Sequence, residues 1–526
     1  MLGSSQQESE KKVAEQFHAA PGTEILFDGS DSGSISERLH QLRHRETGDG
    51  RMLLVPQPSI NDPNDPLSWS TPKKSLTFFN GCWFAFMGAI TGPIMAAGMM
   101  QLSTTFGKTL QELTYANGAC LINQGYGRRP VYIFSNLLMA IACIWLAIAS
   151  NKAYTVFLVG RAFLGAFQAP IESIVPSTVT DMFFLHNRGE LIAIYGLSVL
   201  GGNELGPMFS GFIVQALGMD WAFWVVTMFV GASLISMFFF MPETKFDGPR
   251  PDPFQTTTVN ADKDQVLVQE SIAVPKKTFV QELKFWNSGD PNVNLLHVFL
   301  RPFVLVAYPT VLWSCCIYGM ALSWNVILGA SVAQLFAPPP YGFNSNGQGL
   351  FFLSPFVGSL FGVYFSGPGG DWIATFFTKR NNGIREPEMR LPTCLLAGFF
   401  TFFGALWFGL SYEHQMHWAM PVVGAGILSV GSQMGTTLGM NYALDCHKEL
   451  SVEIMVTIAA LKCCIAWIWT WVINDFITSS GVLSVFMTVA AINVAVYLVC
   501  IPFYLKGKEI RIWLHRKDLL RAAGII

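Results

Sequence analysis

Four charged side chains fall inside long apolar runs of this chain: Arg161, Glu172, Glu204 and Lys462. A charge at membrane depth is costly, so such residues line a water-filled cavity or pair with one another. A carboxyl group there can load and release a proton as access changes sides, which makes Glu172 and Glu204 the candidates for proton coupling. A static buried pair, for example Arg161 with a carboxylate, is the alternative. Glu172 lies eleven positions beyond Arg161. That is close to three helical turns, so one continuous helix would project both from a single face, about 16 Å apart along its axis. Asn203 and Glu204 form a polar step inside a Gly-rich run. Trp324-Asn325, Asn441-Tyr442 and the series Trp467, Trp469, Trp471 put amides and aromatic rings at similar depth. An amide beside an aromatic suits a cavity for amphipathic or cationic organic molecules. For each tryptophan alone, lipid-facing or core packing is the competing explanation.

Other chemistries lack their parts. All nine histidines (18, 40, 44, 186, 297, 414, 417, 447 and 515) fall in tails, loops or span ends. No histidine therefore sits at the depth a membrane desaturase or acyl transferase requires. Gly107-Lys108-Thr109 lacks the glycine five residues earlier that a phosphate-binding loop needs. The ten cysteines sit in or beside apolar stretches without metal-type spacing, so they read as small hydrophobes. A net charge of −2 gives no electrostatic case for nucleic acid. The chain is expected to be no enzyme, and to need neither cofactor nor metal.

The elements that must position these residues are membrane helices. Of 526 residues, 51% are hydrophobic and only 13% charged, against about 25% charged in a soluble protein. Apolar spans recur at 76–98, 130–150, 155–180, 190–215, 220–241, 303–333, 348–367, 391–411, 418–441, 452–475 and 481–505. Each can cross a ~30 Å hydrocarbon core as a helix. The opening MLGSSQQESEKK has no signal-peptide pattern, so the first span is expected to act as its own anchor. Residues 1–74 read as a mostly disordered cytoplasmic tail. Residues 75–241 read as a first bundle, 242–300 as a cytoplasmic loop, 301–505 as a second bundle, and 506–526 as a cytoplasmic tail. With the N-terminus inside, Arg128, Arg129, Arg188, Lys379, Arg380, Arg385, Arg390 and Lys448 all fall inside, and only Lys108 and Lys152 lie outside.

That asymmetry requires an even number of crossings, and therefore a twelfth span between Gly98 and Gly127. The only apolar run there, Leu113–Ile122, is about 15 Å long as a helix, half the hydrocarbon thickness. The second span is thus expected to be truncated, near 109–125.

Several short runs, taken in order, resemble the major facilitator superfamily, and most closely its fungal drug:proton antiporter branch. Gly127-Arg128-Arg129-Pro130 resembles the end of the signature between spans two and three. Arg161 followed by Gly165 resembles the fourth-span motif. Gly202-Asn203-Glu204-Leu205-Gly206-Pro207-Met208-Phe209-Ser210-Gly211 resembles the antiporter run of the fifth span, with Ser210 replacing a glycine. The branch is indicated by Asn61-Asp62-Pro63-Asn64-Asp65-Pro66, by Asp181 to Arg188-Gly189, and by Pro242-Glu243-Thr244. The resemblance covers about residues 61–521. It implies two six-helix bundles around a central cavity, with Gly202, Gly206, Pro207 and Gly211 shaping the fifth helix. It also implies a cytoplasmic latch that includes Gly127, Arg128, Arg129 and Arg188, its arginines pairing with the carboxylates Asp181 and Glu190, echoed in the second half by Asp371 and Arg380. The family's acidic latch residue falls here at Gln124.

The expected function is transport of small organic molecules (drugs, toxins or polyamine-like cations), by proton-coupled export through the plasma membrane as a monomer. Proton-coupled uptake is the first alternative. The second is a non-transporting sensor or defective copy, given the short second span.

Overall fold

The computed structural model describes residues 22–25, 44–47, 50–54, 62–98, 128–150, 154–246, 276–282, 295–381, 384–447 and 450–517, with positions 56, 58, 59, 152 and 284. The short span near 109–125, and Gly127, lie outside the described residues.

The first-half helices are α1 Thr71–Thr91, α2 Arg128–Ala149, α3 Tyr154–Gln168, α4 Ile171–Met182, α5 Leu185–Leu217 and α6 Met219–Phe240. In the second half follow α7 Pro309–Phe336, α8 Ser345–Phe351, α9 Leu353–Ser366, α10 Pro368–Arg380, α11 Thr393–Glu413, α12 Ala419–Cys446, α13 Ser451–Ser480, α14 Val482–Leu498 and α15 Cys500–Lys517. Grouped along the chain, they account for each of the apolar spans read from the sequence. Nine segments among the described residues are long and apolar enough to cross a membrane. Helices α5 and α12 are as long, at 33 and 28 residues, but carry more glycine and polar side chains. They can do so because they run through the interior: α12 is buried along nearly its whole length from Gly424 to Cys446. Outer helices instead turn apolar side chains outward. Phe134, Ile141 and Ile148 form an exposed stripe on α2 at seven-residue spacing, which suits lipid rather than water.

Two junctions show how the halves repeat. Gly218 ends α5 and begins α6 at φ +95°, and Gly481 ends α13 and begins α14 at φ +80°. A side chain is disfavoured in that conformation, so glycine permits a near-immediate reversal. The same device therefore joins the last two spans of each half.

The expected continuous helix over 155–180 is interrupted. α3 stops at Gln168 and α4 starts at Ile171 after Pro170. Proline lacks the N–H that would continue the ladder, so the three-turn reasoning for Arg161 and Glu172 does not describe one rod.

Within the first half, α1 packs on α5, α2 on α6 and α2 on α3; within the second, α12 packs on α7, α9 and α11, while α7 packs on α13 and α11 on α14. The halves meet where α5 lies against α8, α9 and α12, and where α4 meets α13. Among the described residues are two small sheets: β1 Glu24–Ile25 pairs antiparallel with β4 Ile384–Arg385, and β2 His44–Thr47 with β3 Gly50–Leu53.

Of the run Asn61 to Pro66, the described part from Asp62 acts as a seat for α1. Asp65 caps the 3-10 turn Pro66–Ser68, its carboxylate accepting from Leu67 N (3.0 Å) and Ser59 N (2.8 Å). The buried Lys74 ammonium then donates to Leu67 O at 2.9 Å.

Candidate functional site

A cavity of about 270 Å³ lies between the two bundles. α1 and its following 3-10 turn, α3, α4, α5, α7 and α13 all contribute to its wall. Its charged lining residues among those described are Arg161, Glu172 and Lys462, joined by Asn203 and Asn325.

Glu172 stands in the first turn of α4 and Lys462 on α13. The Lys462 ammonium donates to Glu172 Oε1, and also lies 5.5 Å from the centre of the Tyr318 ring. The pair therefore joins one bundle to the other on the cavity wall. Oε2 of Glu172 is buried with no hydrogen-bond partner.

Arg161 has a different task. Its guanidinium donates to Thr91 O at 2.6 Å and Gly92 O at 2.9 Å, where α1 ends. The last carbonyls of a helix have no partner inside it, and a cation there also complements the helix dipole. Thr91 Oγ1 donates in turn to Gln168 Oε1 at 2.9 Å. Arg161 thus ties the end of α1 to α3 at the edge of the cavity.

Asn203 faces the cavity, and its neighbour Glu204 does not. Glu204 is fully buried, and its Oε1 accepts from Ser359 on α9 at 2.9 Å and Ser429 on α12 at 3.3 Å. Successive helix positions differ by about 100°, which sends the two side chains to different surroundings. The glycines of the same helix mark a close approach. A Cβ at Gly202 would lie 2.6 Å from Phe86 O, and one at Gly206 would lie 3.3 Å from Ile90 Cα, both on α1. Pro207 stays inside α5, where its carbonyl faces Gly349 of α8, and Gly211 is buried.

The other expected cavity residues divide by helix rotation. Asn325 lines the cavity, but Trp324 turns into the core, 5.7 Å from the Phe486 ring. Asn441 and Tyr442 lie away from it as well: the whole of that part of α12 is interior, and Tyr442 packs edge-on to Trp313 at 5.3 Å. Trp467 does face the cavity, beside Cys463. Trp471 packs on Trp467, while Trp469 joins the core.

The charge-rich end of the bundle holds two ionic networks. In the first half, Arg128 Nε donates to Asp181 Oδ2 at 2.6 Å. The Glu243 carboxylate accepts from Arg128 N at 3.0 Å and Arg129 N at 3.1 Å. It thereby occupies the N-terminus of α2, where exposed N–H groups favour an anion. Arg129 donates to Glu282 O (2.6 Å) and Phe238 O (2.7 Å). Gln124, where the family's acidic latch residue falls, lies outside the described residues; the acid at the start of α2 is Glu243 of Pro242-Glu243-Thr244. Arg188 is buried and donates to Thr180 O at 3.4 Å, while Glu190 is exposed.

In the second half, Asp371 accepts from Arg390 and, at 3.3 Å, from Arg385; Arg390 also donates to Asp445 Oδ2 at 2.8 Å. Arg380 is not the guanidinium that meets Asp371. It ends α10, nine positions further along the helix, and lies over the Phe376 ring at 4.5 Å. That separation is about 13 Å of rise, whereas the chain after α10 returns Arg385 and Arg390 to the acid. This network touches the other bundle. A Cβ at Gly189, near the start of α5, would lie 2.6 Å from Asp371 Oδ2 and 2.8 Å from Arg390 Nη2. Nearby, burial and the Arg511 guanidinium push the His447 imidazole down to about 4, and it hydrogen-bonds Thr310 Oγ1 at 2.9 Å.

Comparison with known proteins agrees with this architecture. The sequence profile of the Major Facilitator Superfamily matches residues 118–469. An uncharacterised MFS-type transporter of Schizosaccharomyces pombe is 24% identical, covering 94% of this chain and 93% of its own. Protein HOL1 of Saccharomyces cerevisiae is 23% identical, with 94% and 96% covered. Among solved structures, the proton:xylose symporter XylE shares 12% identity at a TM-score of 0.55, covering 83% of this chain and 96% of XylE, a likeness of fold. Both the profile and the two-bundle architecture around a central cavity lead to one conclusion: this chain belongs to the Major Facilitator Superfamily and is a multi-pass membrane transporter of small molecules.

Proposed function

We propose that the chain exports small organic molecules across the plasma membrane in exchange for protons, by alternating access, working as a monomer. Both termini and the charge-rich end face the cytoplasm in this reading. The observation that carries it is the Glu172–Lys462 pair, which joins the bundles on the wall of the cavity. A proton taken up by Glu172 removes the charge that holds Lys462, and so weakens the contact between α4 and α13. Release of that proton on the other side restores the pair. A cationic substrate group competes with Lys462 for the same carboxylate, so drug-like or polyamine-like amines fit the exchange. Glu204 is the second carboxyl that links the bundles, and Gly202 to Gly211 of α5 supports exchange through its resemblance to the antiporter run.

Purified protein in proteoliposomes, loaded with labelled organic amines, provides the test. Efflux should rise when the opposite compartment is acidified, and Glu172→Gln should remove that dependence while leaving folded protein. Efflux that ignores the gradient overturns proton exchange. Inward movement of substrate together with protons replaces it by uptake, which the same pair could couple. Absence of flux for every compound, from folded protein, favours the non-transporting alternative.

A further inference from the structure

The charge-rich end carries a contact that neither the cavity nor the ionic networks account for. Residues 22–25 lie 46 positions or more before α1 begins at Thr71, yet they sit on the second bundle. There β1 pairs with β4, with Glu24 opposite Arg385 and Ile25 opposite Ile384. Gly22, at φ +85°, is pressed on the end of α12, where a Cβ would come within 2.4 Å of Asp445 O. Thr23 Oγ1 accepts from Arg511 Nη1 at 3.2 Å, and the same guanidinium grips Glu388 through two bonds of 2.8 Å.

Each anchoring point belongs to the second-half network or touches it. Arg385 carries the backbone that pairs with Glu24 and the guanidinium that meets Asp371. Asp445 offers its carbonyl to the Gly22 contact and its carboxylate to Arg390. Glu388 lies two positions before Arg390 in the 3-10 turn Pro387–Arg390. Asp371 and Arg390 are also the groups that abut Gly189 of the first bundle.

We propose that Gly22–Ile25 is a strap of positioning residues: by fixing β4 and the turn that follows, it sets Arg385 and Arg390 on Asp371 and holds the charge-rich end of the two bundles closed. It acts through those arginines and does not itself touch the cavity. The strap meets α12 and α15 only near their ends, at Asp445 and Arg511, so it can be released without unfolding the bundles. Gly22 is required because only a residue without a Cβ fits both its backbone angle and its distance to Asp445. The proposal rests on the alternating-access reading, since a latch has meaning only if the charge-rich end opens.

Two full-length variants release the strap by unrelated means. Gly22→Val adds a side chain against Asp445 O, and Ile25→Pro removes a backbone N–H and reshapes the paired strand. Spin labels on the exposed Asn187 of α5 and the exposed Arg380 of α10 report separation of the bundles at this end. In reconstituted protein, each variant should raise the open-to-closed ratio of the distance distribution by about fivefold, the ratio that one net hydrogen bond commands. A label pair at the opposite end, on exposed Gln215 of α5 and exposed Glu413 of α11, serves as the folding control. Its two distances should persist in both variants, with only their proportions shifting in the reverse sense. If the unvaried strap gives two distances and both variants reproduce its distribution, the strap proposal fails alone. If a single distance persists with and without a proton gradient, the alternating-access reading fails with it.

Discussion

Glu172 and Glu204 both reach from the first bundle to the second, yet they do so in opposite surroundings. Glu172 stands on the cavity wall and meets an ammonium. Glu204 is sealed from the cavity and meets two serine hydroxyls. The difference teaches that depth in the membrane alone does not assign a role to a carboxyl group. What it faces and which charge answers it decide whether it can exchange partners during transport or acts as a tie between helices.

Changes on either side of that contrast should differ in size. Lys462→Met leaves Glu172 part-buried without its cation. Removing one member of a buried pair costs about 3–5 kcal/mol, so the thermal midpoint of the purified protein should fall more than for any other change here. The double variant Lys462→Met/Glu172→Gln should recover part of that loss, and additivity of the two effects would show that the pair is not coupled. Next in size, Gly202→Ala places a methyl against Phe86 O and should cost about 1–3 kcal/mol by overpacking, read as a lower midpoint in the same assay. Glu204→Gln keeps an acceptor for Ser359 and Ser429, so midpoint and coupled flux should stay close to wild type. Loss of proton dependence in that variant would move Glu204 from tie to carrier. Ser359→Ala removes a single hydroxyl bond and should cost about 1 kcal/mol; a much larger fall would mean that Glu204 depends on that bond for its placement.

Much of this was legible in the sequence. The spans stand out because lipid selects long apolar runs, and the charges inside them stand out for the same reason. The buried polar step at Asn203-Glu204 could be seen, but which of the two faces the cavity could not. That depends on helix rotation, as it does for Trp324 and Asn325, where the more conspicuous side chain is the one in the core. The break at Pro170 was legible in principle from the proline, but within a long apolar run it was absorbed into one helix. Arg380 looked like the partner of Asp371 by proximity in the chain, whereas the return after α10 brings Arg385 and Arg390 instead. Glu243 stands in a short motif, but its use as the anion at the start of α2 lies 114 positions away from Arg129 in the chain. The signal that could have exposed the repeated halves was Gly218 and Gly481, a lone glycine between two apolar runs in corresponding places.

The burial of α12 bears on how the protein is made. A helix rich in Gly, Ser, Thr, Gln and Asn gains little from hydrocarbon by itself, since insertion scales reward Leu, Ile, Phe and Val. Some of its polar groups are answered by neighbouring helices: Gln433 donates to Ala193 O of α5 at 3.3 Å, and Ser432 donates to Ala321 O of α7. Both partners are synthesised earlier in the chain. α12 is therefore a late arrival that enters the bilayer into a slot already lined for it, so a nascent chain lacking the first bundle should leave this segment poorly integrated.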